Sequence, residues 1–412
     1  MIERVLSRSV KPVIAQNFDQ RNRFRICFVV SEYWYFCSHR LPLAEAALQK
    51  GWEVLLISRH SGCEVTLTEQ GIRTVHLDLE RGSLNPLPDL KYCWKLAKIY
   101  SEEKPDIVHH VAMKPCLYGS IAAWWSNTGC VVNAGAGFGT LFSSKSIKVK
   151  IVRPFVLLAF RYLFNCSNSK LILQNIDDVN EMQQNLKLQR ERLELIRGSG
   201  VNLAEFCPIN NKSANESVLI VMVSRLLTDK GVLELIEAGR DLKSRGIEFK
   251  IALVGDADVH NAHAVPDSVL REAESEGLVE LWGRMSDIAS IYQHADVAVL
   301  PSYREGLPKS LIEAAACGLP IVTTDVPGCR EVVDDGINGF LVPARKSLAL
   351  ADALQKLVED PELRSQMGHA SRKKAEREFG IEMVVSKTFA VYNALLKSRK
   401  PMNEDNTEIN IP

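Results

Sequence analysis

Residues 300 to 320 read Leu300-Pro-Ser-Tyr-Arg-Glu-Gly-Leu-Pro-Lys-Ser-Leu-Ile-Glu-Ala-Ala-Ala-Cys-Gly-Leu-Pro320. The pattern predicts the end of an apolar strand, then a loop at Glu305 and Gly306, then a helix that begins at Pro308 and stops at Gly318. Proline starts a helix at little cost because its φ is fixed and it has no N–H. The free amides of a first helical turn favour an anion by roughly 0.3–1 kcal/mol. The stretch therefore predicts an anion site where a strand passes into a helix.

Two carboxylates flank this predicted anion site. Glu305 is on the loop, and Glu313 follows eight positions later on the helix. Amides that attract an anion, placed between two acids, suit a ligand with phosphate in its middle and hydroxyl groups at both ends. A nucleotide sugar has that layout. A bare pair of glutamates at this spacing is more often a pair of surface acids, so the interpretation depends on the surrounding residues.

The chain alternates apolar strands with helical segments in two successive series, which predicts an α/β protein with two doubly wound, Rossmann-like domains. Strands are expected at Arg23–Val30, Trp52–Ser58, Thr74–Leu79, Asp106–Ala112, Cys130–Asn133 and Lys170–Gln174, and again at Val218–Ser224, Phe249–Gly255, Val279–Gly283, Val297–Pro301 and Ile321–Asp325. We divide the chain into a basic leader (1–22), a first domain (23–204), a linker (205–217), a second domain (218–380), a terminal helix (381–398) and a polar tail (399–412).

The bulk composition restricts the function class. The 412 residues are 46% apolar and 24% charged, and the net charge is zero, so nothing indicates nucleic-acid binding. The ten cysteines form no Cys-x-x-Cys pair, which is typical of reduced thiols in a cytosolic protein. We expect neither a secretory signal nor a membrane-spanning helix, because charged residues interrupt every long apolar run.

Arg225 and Lys230 follow the first strand of the second domain, at the sheet edge where open α/β sheets bind ligands. Two cations there would stabilise the negative charge that develops on a departing diphosphate, without a divalent metal. Asp256 and Asp258 are interpreted as a polar loop. His260 and His263 lack a third ligand, so we expect no metal cofactor.

Three segments of the first domain also lie at the carboxyl ends of predicted strands, namely residues 38–42, 105–115 and 133–139. The last is rich in glycine, but it lacks the full dinucleotide fingerprint, so NAD binding is rejected; close approach of the backbone to a phosphate or an acceptor fits better. The candidates for the acceptor side of the cleft are His39, Arg40, His110, Lys114, Gly135 and Gly137, with His109 as a candidate catalytic residue.

The residues around Glu305 and Glu313 closely resemble the Glu-x7-Glu signature of retaining glycosyltransferases of family 4, which have the GT-B fold. The resemblance implies that Glu305 contacts the hydroxyls of the donor sugar and Glu313 the ribose of the nucleotide. It also implies that Arg225 and Lys230 hold the diphosphate. Gly306, Leu307 and Pro308 would complete the donor site. The terminal helix is expected to cross back to the first domain.

Further segments narrow the resemblance to a branch that extends polyprenyl-diphosphate-linked oligosaccharides; they are residues 81–86, 197–202 and 324–330. This branch includes the bacterial transferase that adds N-acetylgalactosamine to undecaprenyl-diphosphate-bacillosamine. The chain also departs from the family pattern. Many members carry a histidine in the glycine-rich loop that contacts the donor sugar, whereas this chain has Ala134, Gly135 and Ala136 there. His39, His109 and His110 remain as candidates for that contact.

Residues 146–164 contain no acid, and at helical spacing Lys150, Arg153 and Arg161 share one side while apolar residues cover most of the rest. A basic amphipathic segment is typical of binding to a membrane surface, and each cation near an anionic leaflet contributes about 1 kcal/mol. A helix packed between domains would show the same pattern. We expect Pro154 to mark the start of the helix.

The expected function is transfer of a sugar from a nucleotide sugar, with UDP as the expected nucleotide, to a lipid-diphosphate-linked glycan in cell-surface polysaccharide assembly. The protein is expected in the cytoplasm, peripheral on the inner face of the membrane, and independent of metal ions. Two alternatives are an epimerase or hydrolase of nucleotide sugars on the same scaffold and a non-catalytic binding subunit. Turnover of a UDP-sugar without an acceptor would favour the first of them.

Overall fold

The computed structural model describes residues 24–59, 64–79, 86–135, 147–166, 168–209, 217–258, 261 and 263–398. Several features discussed above lie outside these residues: the leader, the polar tail, residues 81–85, Gly137, His260 and residues 210–216 of the linker.

The first sheet has seven parallel strands in the order β3-β2-β1-β4-β5-β6-β7. Its strands are β1 Arg25–Glu32, β2 Glu53–Arg59, β3 Ile72–His76, β4 Ile107–Val111, β5 Cys130–Ala134, β6 Ser169–Leu173 and β7 Leu193–Leu195. The central strands are buried along nearly their whole length. Continuous apolar runs form them because helices cover both faces of a parallel sheet.

The second sheet has six parallel strands in the order β10-β9-β8-β11-β12-β13. Its strands are β8 Val218–Val223, β9 Phe249–Val254, β10 Glu280–Gly283, β11 Val297–Leu300, β12 Ile321–Thr324 and β13 Gly339–Val342. Each sheet, with its helices, encloses its own apolar core. The predicted pair of doubly wound α/β domains is therefore confirmed, and we call them the first and the second domain.

Helices connect and flank the strands. Those of the first domain are α1 Tyr33–His39, α2 Leu41–Gln49, α3 Glu64–Glu69, α4 Pro86–Glu103, α5 Met113–Trp125, α6 Ile147–Phe164 and α7 Ile176–Leu186. Those that follow β8 are α8 Val232–Ser244, α9 Asp267–Ser275, α10 Ile288–His294, α11 Lys309–Ala316, α12 Cys329–Val332, α13 Ser347–Glu359, α14 Pro361–Glu378 and α15 Ile381–Ser398. Among the described residues, no helix is both long enough and apolar enough to cross a bilayer.

The terminal helix α15 leaves the second domain and packs on the first. Phe389, Tyr392 and Leu395 are buried in the core beneath β1, β4 and β5. Trp52 contacts both Phe389 and Tyr392, with ring centroids 5.2 Å and 6.1 Å apart. Helix α15 is thus part of the core of the first domain, although it follows the second domain in the sequence.

Sequence reasoning missed three elements and misjudged one. It did not predict the short edge strands β7 and β13 or the helix α1, which lack a long periodic pattern. The expectation that Pro154 starts a helix is wrong, because α6 begins at Ile147 and continues through Pro154. A proline removes one backbone donor, and burial of Phe160 and Phe164 further along stabilises the helix despite that loss.

The strand orders fix where ligands can bind. In each sheet the order reverses between two central strands, β1 and β4 in the first and β8 and β11 in the second. Crevices for ligands form outside the carboxyl ends of strands at such switch points. The loops after these four strands carry most of the candidate site residues.

Candidate active site

The second-domain switch point brings Lys230 and Glu305 together. The Nζ atom of Lys230 is 2.5 Å from Oε1 of Glu305, and the two side chains are 20% and 12% exposed. Lys230 follows β8 and Glu305 follows β11, so the pair spans the two central strands of the sheet. The sequence-predicted pair of donor-site residues is therefore a single ionic unit at the edge of the cleft.

Backbone contacts hold the two loops against each other. The Asp229 carbonyl accepts hydrogen bonds from the Tyr303 amide at 2.8 Å and from the Ser302 hydroxyl at 3.1 Å. Gly231 has a φ of +78°, and a Cβ there would lie 2.1 Å from the Pro301 carbonyl oxygen. Glycine is therefore required for the close approach that positions Lys230.

A second glycine supports the Glu305 loop from the other side. Gly328 has a φ of +81°, and a Cβ there would meet the carbonyl oxygens of Gly306 and Glu305 at 2.5 Å and 2.7 Å. From the first domain, the Asn175 amide donates to the Gly306 carbonyl at 2.7 Å. The loop is thus held by both domains, with Glu305 directed to Lys230.

Glu313 lies inside helix α11, and Lys309 joins it to the first domain. The helix starts one residue later than predicted, with Pro308 as its extended N-cap. The Lys309 Nζ atom is 3.4 Å from Oε1 of Glu313 and donates to the Ser38 carbonyl at 3.0 Å. Burial raises the pKa of Glu313, and Lys309 opposes that rise. Glu313 is therefore a buried carboxyl group that faces one ammonium group.

Leu307 and Gly306 complete the mouth of the loop. Leu307 is buried, and its side chain lies so close to Gly198 that a Cβ at Gly198 would strike it. A Cβ at Gly306 would likewise strike the Gln174 side chain. The amides of Lys309 and Ser310 precede the first intrahelical hydrogen bond, which the Pro308 carbonyl accepts. The predicted anion-attracting helix start is therefore next to Glu305.

Arg225 is placed apart from the Lys230–Glu305 pair. It is half exposed, and its Nη1 atom is 3.1 Å from Oδ2 of Asp258. The guanidinium has five N–H donors, so this one contact leaves others for a ligand. No group of three or more His, Cys, Asp or Glu side chains that could hold a metal ion occurs in the described ranges.

His109 belongs to the first-domain switch point and is fully enclosed. Its Nδ1 atom is 2.5 Å from the Tyr392 hydroxyl, which comes from the terminal helix, and its Nε2 atom has no hydrogen-bond partner. Burial, Arg40 and His110 together hold the pKa of His109 well below its ordinary value, so the ring is neutral. His109 lines a cavity with Arg40 and Gly135.

His110 has a different environment from its neighbour. Its Nδ1 atom is 2.9 Å from the Asn133 side-chain oxygen, and its Nε2 atom is 2.9 Å from the Tyr100 hydroxyl. Burial lowers its pKa to about 4. Because successive strand residues face opposite sides of the sheet, only one of the two histidines can face the cavity. No ring nitrogen of His110 remains for a substrate, and we reassign it to the core.

Lys114 and His39 also contact other side chains of the protein. The Lys114 ammonium is 3.1 Å from both carboxylate oxygens of Asp89 on α4. The His39 ring stacks on Tyr35 with centroids 4.0 Å apart. Burial, together with the nearby Lys309 and Arg40 cations, lowers the pKa of His39 to about 3. His39 is therefore a neutral group at the junction of the two domains.

Ion pairs cross between the domains beside the cleft. The first turn of α7 is acidic, and two arginines of the second domain meet this helix: Arg304 lies 3.3 Å from Glu181, and Arg330 lies 3.2 Å from Asp177. In the opposite sense, Glu331 of the second domain accepts from Arg197 at 2.7 Å. In this structure the two domains are therefore in direct contact beside the cleft.

Sequence reasoning missed several residues of this site. Lys309 could have been found, because its spacing to Glu313 is that of a helical ion pair. Asn175 stands directly after a strand and caps α7, which is also a readable signal. Tyr392 could not have been found, because 283 residues separate it from His109 and only the folded chain joins them.

Two family models match the chain. The model described as glycosyl transferase 4-like matches residues 25–175, and the one described as glycosyl transferases group 1 matches residues 207–374. The first of these ranges contains strands β1 to β6 of the first sheet, and the second contains all the strands of the second sheet, β8 to β13.

Individual proteins are similar over most of the chain. An N,N'-diacetylbacillosaminyl-diphospho-undecaprenol alpha-1,3-N-acetylgalactosaminyltransferase of Campylobacter jejuni is 26% identical, over 87% of this chain and 96% of its own. A UDP-Gal:alpha-D-GlcNAc-diphosphoundecaprenol alpha-1,3-galactosyltransferase of Escherichia coli is 26% identical, over 86% and 92%. The crystal structure of Anabaena Alr3699/HepE in complex with UDP superimposes with a TM-score of 0.71 at 19% identity, covering 90% of this chain and all of that one (100%).

The two-sheet architecture, the carboxylates at the switch point and both family models all indicate a glycosyltransferase. The chain belongs to the glycosyltransferases of the group 1 and family 4-like type, with the GT-B fold.

Proposed function

We propose that this enzyme is a retaining transferase that moves a hexose or N-acetylhexosamine from a UDP-sugar to a lipid-diphosphate-linked glycan. The observation that carries the proposal is the Lys230–Glu305 pair at the second-domain switch point, followed on helix α11 by the buried Glu313. Two similar transferases are named for diphospho-undecaprenol acceptors, and one of them for a UDP-sugar donor. These names support the acceptor and donor classes.

The chemistry follows from the charges of the site. The bond between the anomeric carbon and the diphosphate oxygen breaks, and its electron pair passes to the diphosphate. Lys230 and the start of α11 stabilise that charge. The acceptor hydroxyl adds to the anomeric carbon on the face that the diphosphate leaves, and its proton passes to the departing diphosphate oxygen. Glu305 accepts hydrogen bonds from the sugar hydroxyls, and Glu313 from the ribose.

Independence from metal ions is part of the proposal. Lys230, with the helix start, supplies positive charge where the diphosphate would lie, and the half-exposed Arg225, which also contacts Asp258, would add to it. Activity should therefore persist in EDTA. A loss of activity that added Mg²⁺ restores would contradict this part of the proposal.

Association with the inner membrane surface is supported by helix α6. Four of its apolar side chains are exposed at a spacing that aligns them on one face: Ile151, Phe155, Leu158 and Tyr162, with Phe155 71% exposed. Phe160 and Phe164 of the same helix are buried against the first domain. The opposite face is thus an unpartnered apolar stripe among the described residues, as on a helix that inserts into the headgroup region.

A donor screen against membrane lipid extracts tests the function. Each UDP-sugar is incubated with the enzyme and the extract, and mass spectrometry detects a lipid-diphosphate glycan heavier by one sugar. NMR of the product then gives the anomeric configuration, which should match that of the donor. Consumption of the UDP-sugar without any acceptor would favour the alternative of an epimerase or hydrolase.

A further inference from the structure

Arg40 is a buried cation without a carboxylate. It lies between α1 and α2, and only 4% of its surface is exposed. Its Nη1 atom makes a long contact of 3.3 Å with the His39 carbonyl, and its enclosed Nε atom has no partner. In the described part of the chain, no acidic side chain pairs with it. Burying an unpaired charge is unfavourable, so an anion from outside would stabilise Arg40 in this position.

His109 adds a second donor to the same place. The Tyr392 hydroxyl is fully buried, and burial raises its pKa, so it keeps its proton. Nδ1 of His109 lies 2.5 Å from that hydroxyl, and in the tautomer in which the hydroxyl donates to Nδ1, the ring hydrogen of the neutral imidazole is on Nε2. That nitrogen is enclosed and unpartnered. In that tautomer, Arg40 and His109 present two enclosed N–H groups that have no acceptor among the described residues.

Both side chains line one cavity at the first-domain switch point. Its other walls include Gly135 after β5, Gln174 after β6 and Thr388 of the terminal helix. The cavity volume is about 10 Å³, which is room for one oxygen-sized group in this closed arrangement. Through Gln174, the cavity wall contacts Gly306, the neighbour of Glu305. The cavity therefore lies against the loop that carries Glu305.

We propose that Arg40 and His109 form an anion subsite that takes a phosphoryl oxygen of the lipid-diphosphate acceptor. This inference rests on the proposed function. A donor diphosphate carries the same chemistry, but the cation suited to it, Lys230, belongs to the opposite domain. Arg40 and His109 are on the first domain, which leaves them for the acceptor. A guanidinium is suited to phosphoryl oxygens because its N–H groups are fixed in a planar fork.

Steady-state kinetics separate the two sources of phosphate. We compare Arg40→Met with the control Arg59→Met, which removes an exposed first-domain cation paired with Asp78. Loss of charged hydrogen bonds predicts that Arg40→Met raises the KM for the lipid-diphosphate acceptor about tenfold or more. The KM for the UDP-sugar should not change. An increase in the donor KM instead would assign the subsite to the donor and overturn the proposal.

An uncharged acceptor provides the second comparison. A synthetic alkyl glycoside with the same glycan lacks both phosphates, so wild type and Arg40→Met should use it equally. An equal loss on both acceptors would show that Arg40 acts only on the structure, and would overturn the proposal. Arg40→Lys keeps the charge but loses Nε and the planar fork, and its acceptor KM should lie between those of wild type and Arg40→Met.

Binding of inorganic pyrophosphate tests the subsite without turnover. With UDP saturating the donor site, pyrophosphate should raise the Tm of wild type and Arg59→Met and leave that of Arg40→Met unchanged. An equal shift in all three proteins would overturn the subsite. Because this measurement needs no sugar transfer, its result is independent of the donor screen, so failure of the subsite and failure of the proposed function are distinguishable.

Discussion

Lys230 and Glu305 form one ionic unit although 75 residues separate them in the chain. Each follows one of the two central strands of the second sheet, and Asp229 binds the backbone of the other loop. The position of the Lys230 charge, which receives the departing diphosphate in the proposed mechanism, is therefore set by the order of the strands. The contact also shows that the cation and the acid are held in place before any substrate arrives, which is the condition for electrostatic stabilisation of a transition state.

Lys230→Ala and Glu305→Ala should each reduce kcat about a hundredfold or more, as when a preorganised charge is removed. The kcat of the double variant should be only slightly lower than that of the less active single variant, because the effects of substituting groups that act as a unit are not additive. Arg240→Ala, which breaks an exposed ion pair with Glu276, is the control and should retain activity. Wild-type turnover in either single variant would refute the assigned roles.

Gly231→Ala should lose both stability and donor binding. Its new Cβ would strike the Pro301 carbonyl at 2.1 Å and push Lys230 away from Glu305. Gly246 is a matched control, since its φ of +75° is similar and no atom lies near its Cβ position. Gly246→Ala should cost only the strain of a positive φ, about 1 kcal/mol, with full activity. Urea unfolding and UDP titration measure both effects, and equal losses in the two variants would contradict the role of the Pro301 contact.

Lys309→Met should make UDP binding more sensitive to acid. Burial raises the pKa of Glu313 and Lys309 opposes the rise, so removing Lys309 moves that pKa further up. The ribose hydroxyls need the ionised carboxylate as acceptor, and affinity therefore falls as the pH drops through this pKa. Calorimetry from about pH 8 to pH 5 should show the fall beginning at higher pH in Lys309→Met than in wild type. Lys309→Arg keeps the charge and should follow wild type, whereas identical profiles in all three proteins would exclude this coupling.

Ala112→Gly should stabilise the protein. Ala112 follows β4 and is the N-cap of α5, with a φ of 78° and a ψ of 164°, a conformation that glycine alone adopts readily. Relief of the strain should raise the free energy of unfolding by about 1 kcal/mol after the entropy of glycine is subtracted. Ala97→Gly, in the middle of α4, should lower it by about 1 kcal/mol instead. Denaturant unfolding compares the two, and destabilisation of both variants alike would show that Ala112 is not strained.

Replacing Phe155 and Leu158 of α6 by serine should weaken binding to vesicles that contain anionic lipid. The two side chains are exposed on one face, and inserting them into the headgroup region should contribute at least about tenfold in affinity. Leu348→Ser alters an equally exposed leucine of the second domain and is the control. Vesicle co-sedimentation measures the effect. Unchanged binding in the α6 variant would place the membrane contact elsewhere.

The fold and the contact between Lys230 and Glu305 could be read from the sequence because local signals determine them. Apolar runs mark the strands, and Glu305 and Lys230 both follow such runs, so the geometry of a parallel sheet brings them to one edge. Lys309 and Glu313 have helical spacing, and their contact was readable in the same way. These are short-range features that a single sequence contains.

The acceptor side could not be predicted to the same depth. His109 and His110 are adjacent in sequence, and only the orientation of β4 in the folded sheet shows that His110 contacts Tyr100 while His109 faces the cavity. The partner of His109, Tyr392, arrives on a helix from the other end of the chain. Contacts at such separation depend on how the terminal helix packs, and no local pattern encodes it.

A crystal structure of the enzyme with UDP tests the assignment of the donor site. We predict the ribose hydroxyls within hydrogen-bond distance of Glu313 and the diphosphate between Lys230 and the start of α11. UDP bound away from Glu313 and Lys230 would contradict the proposed mechanism.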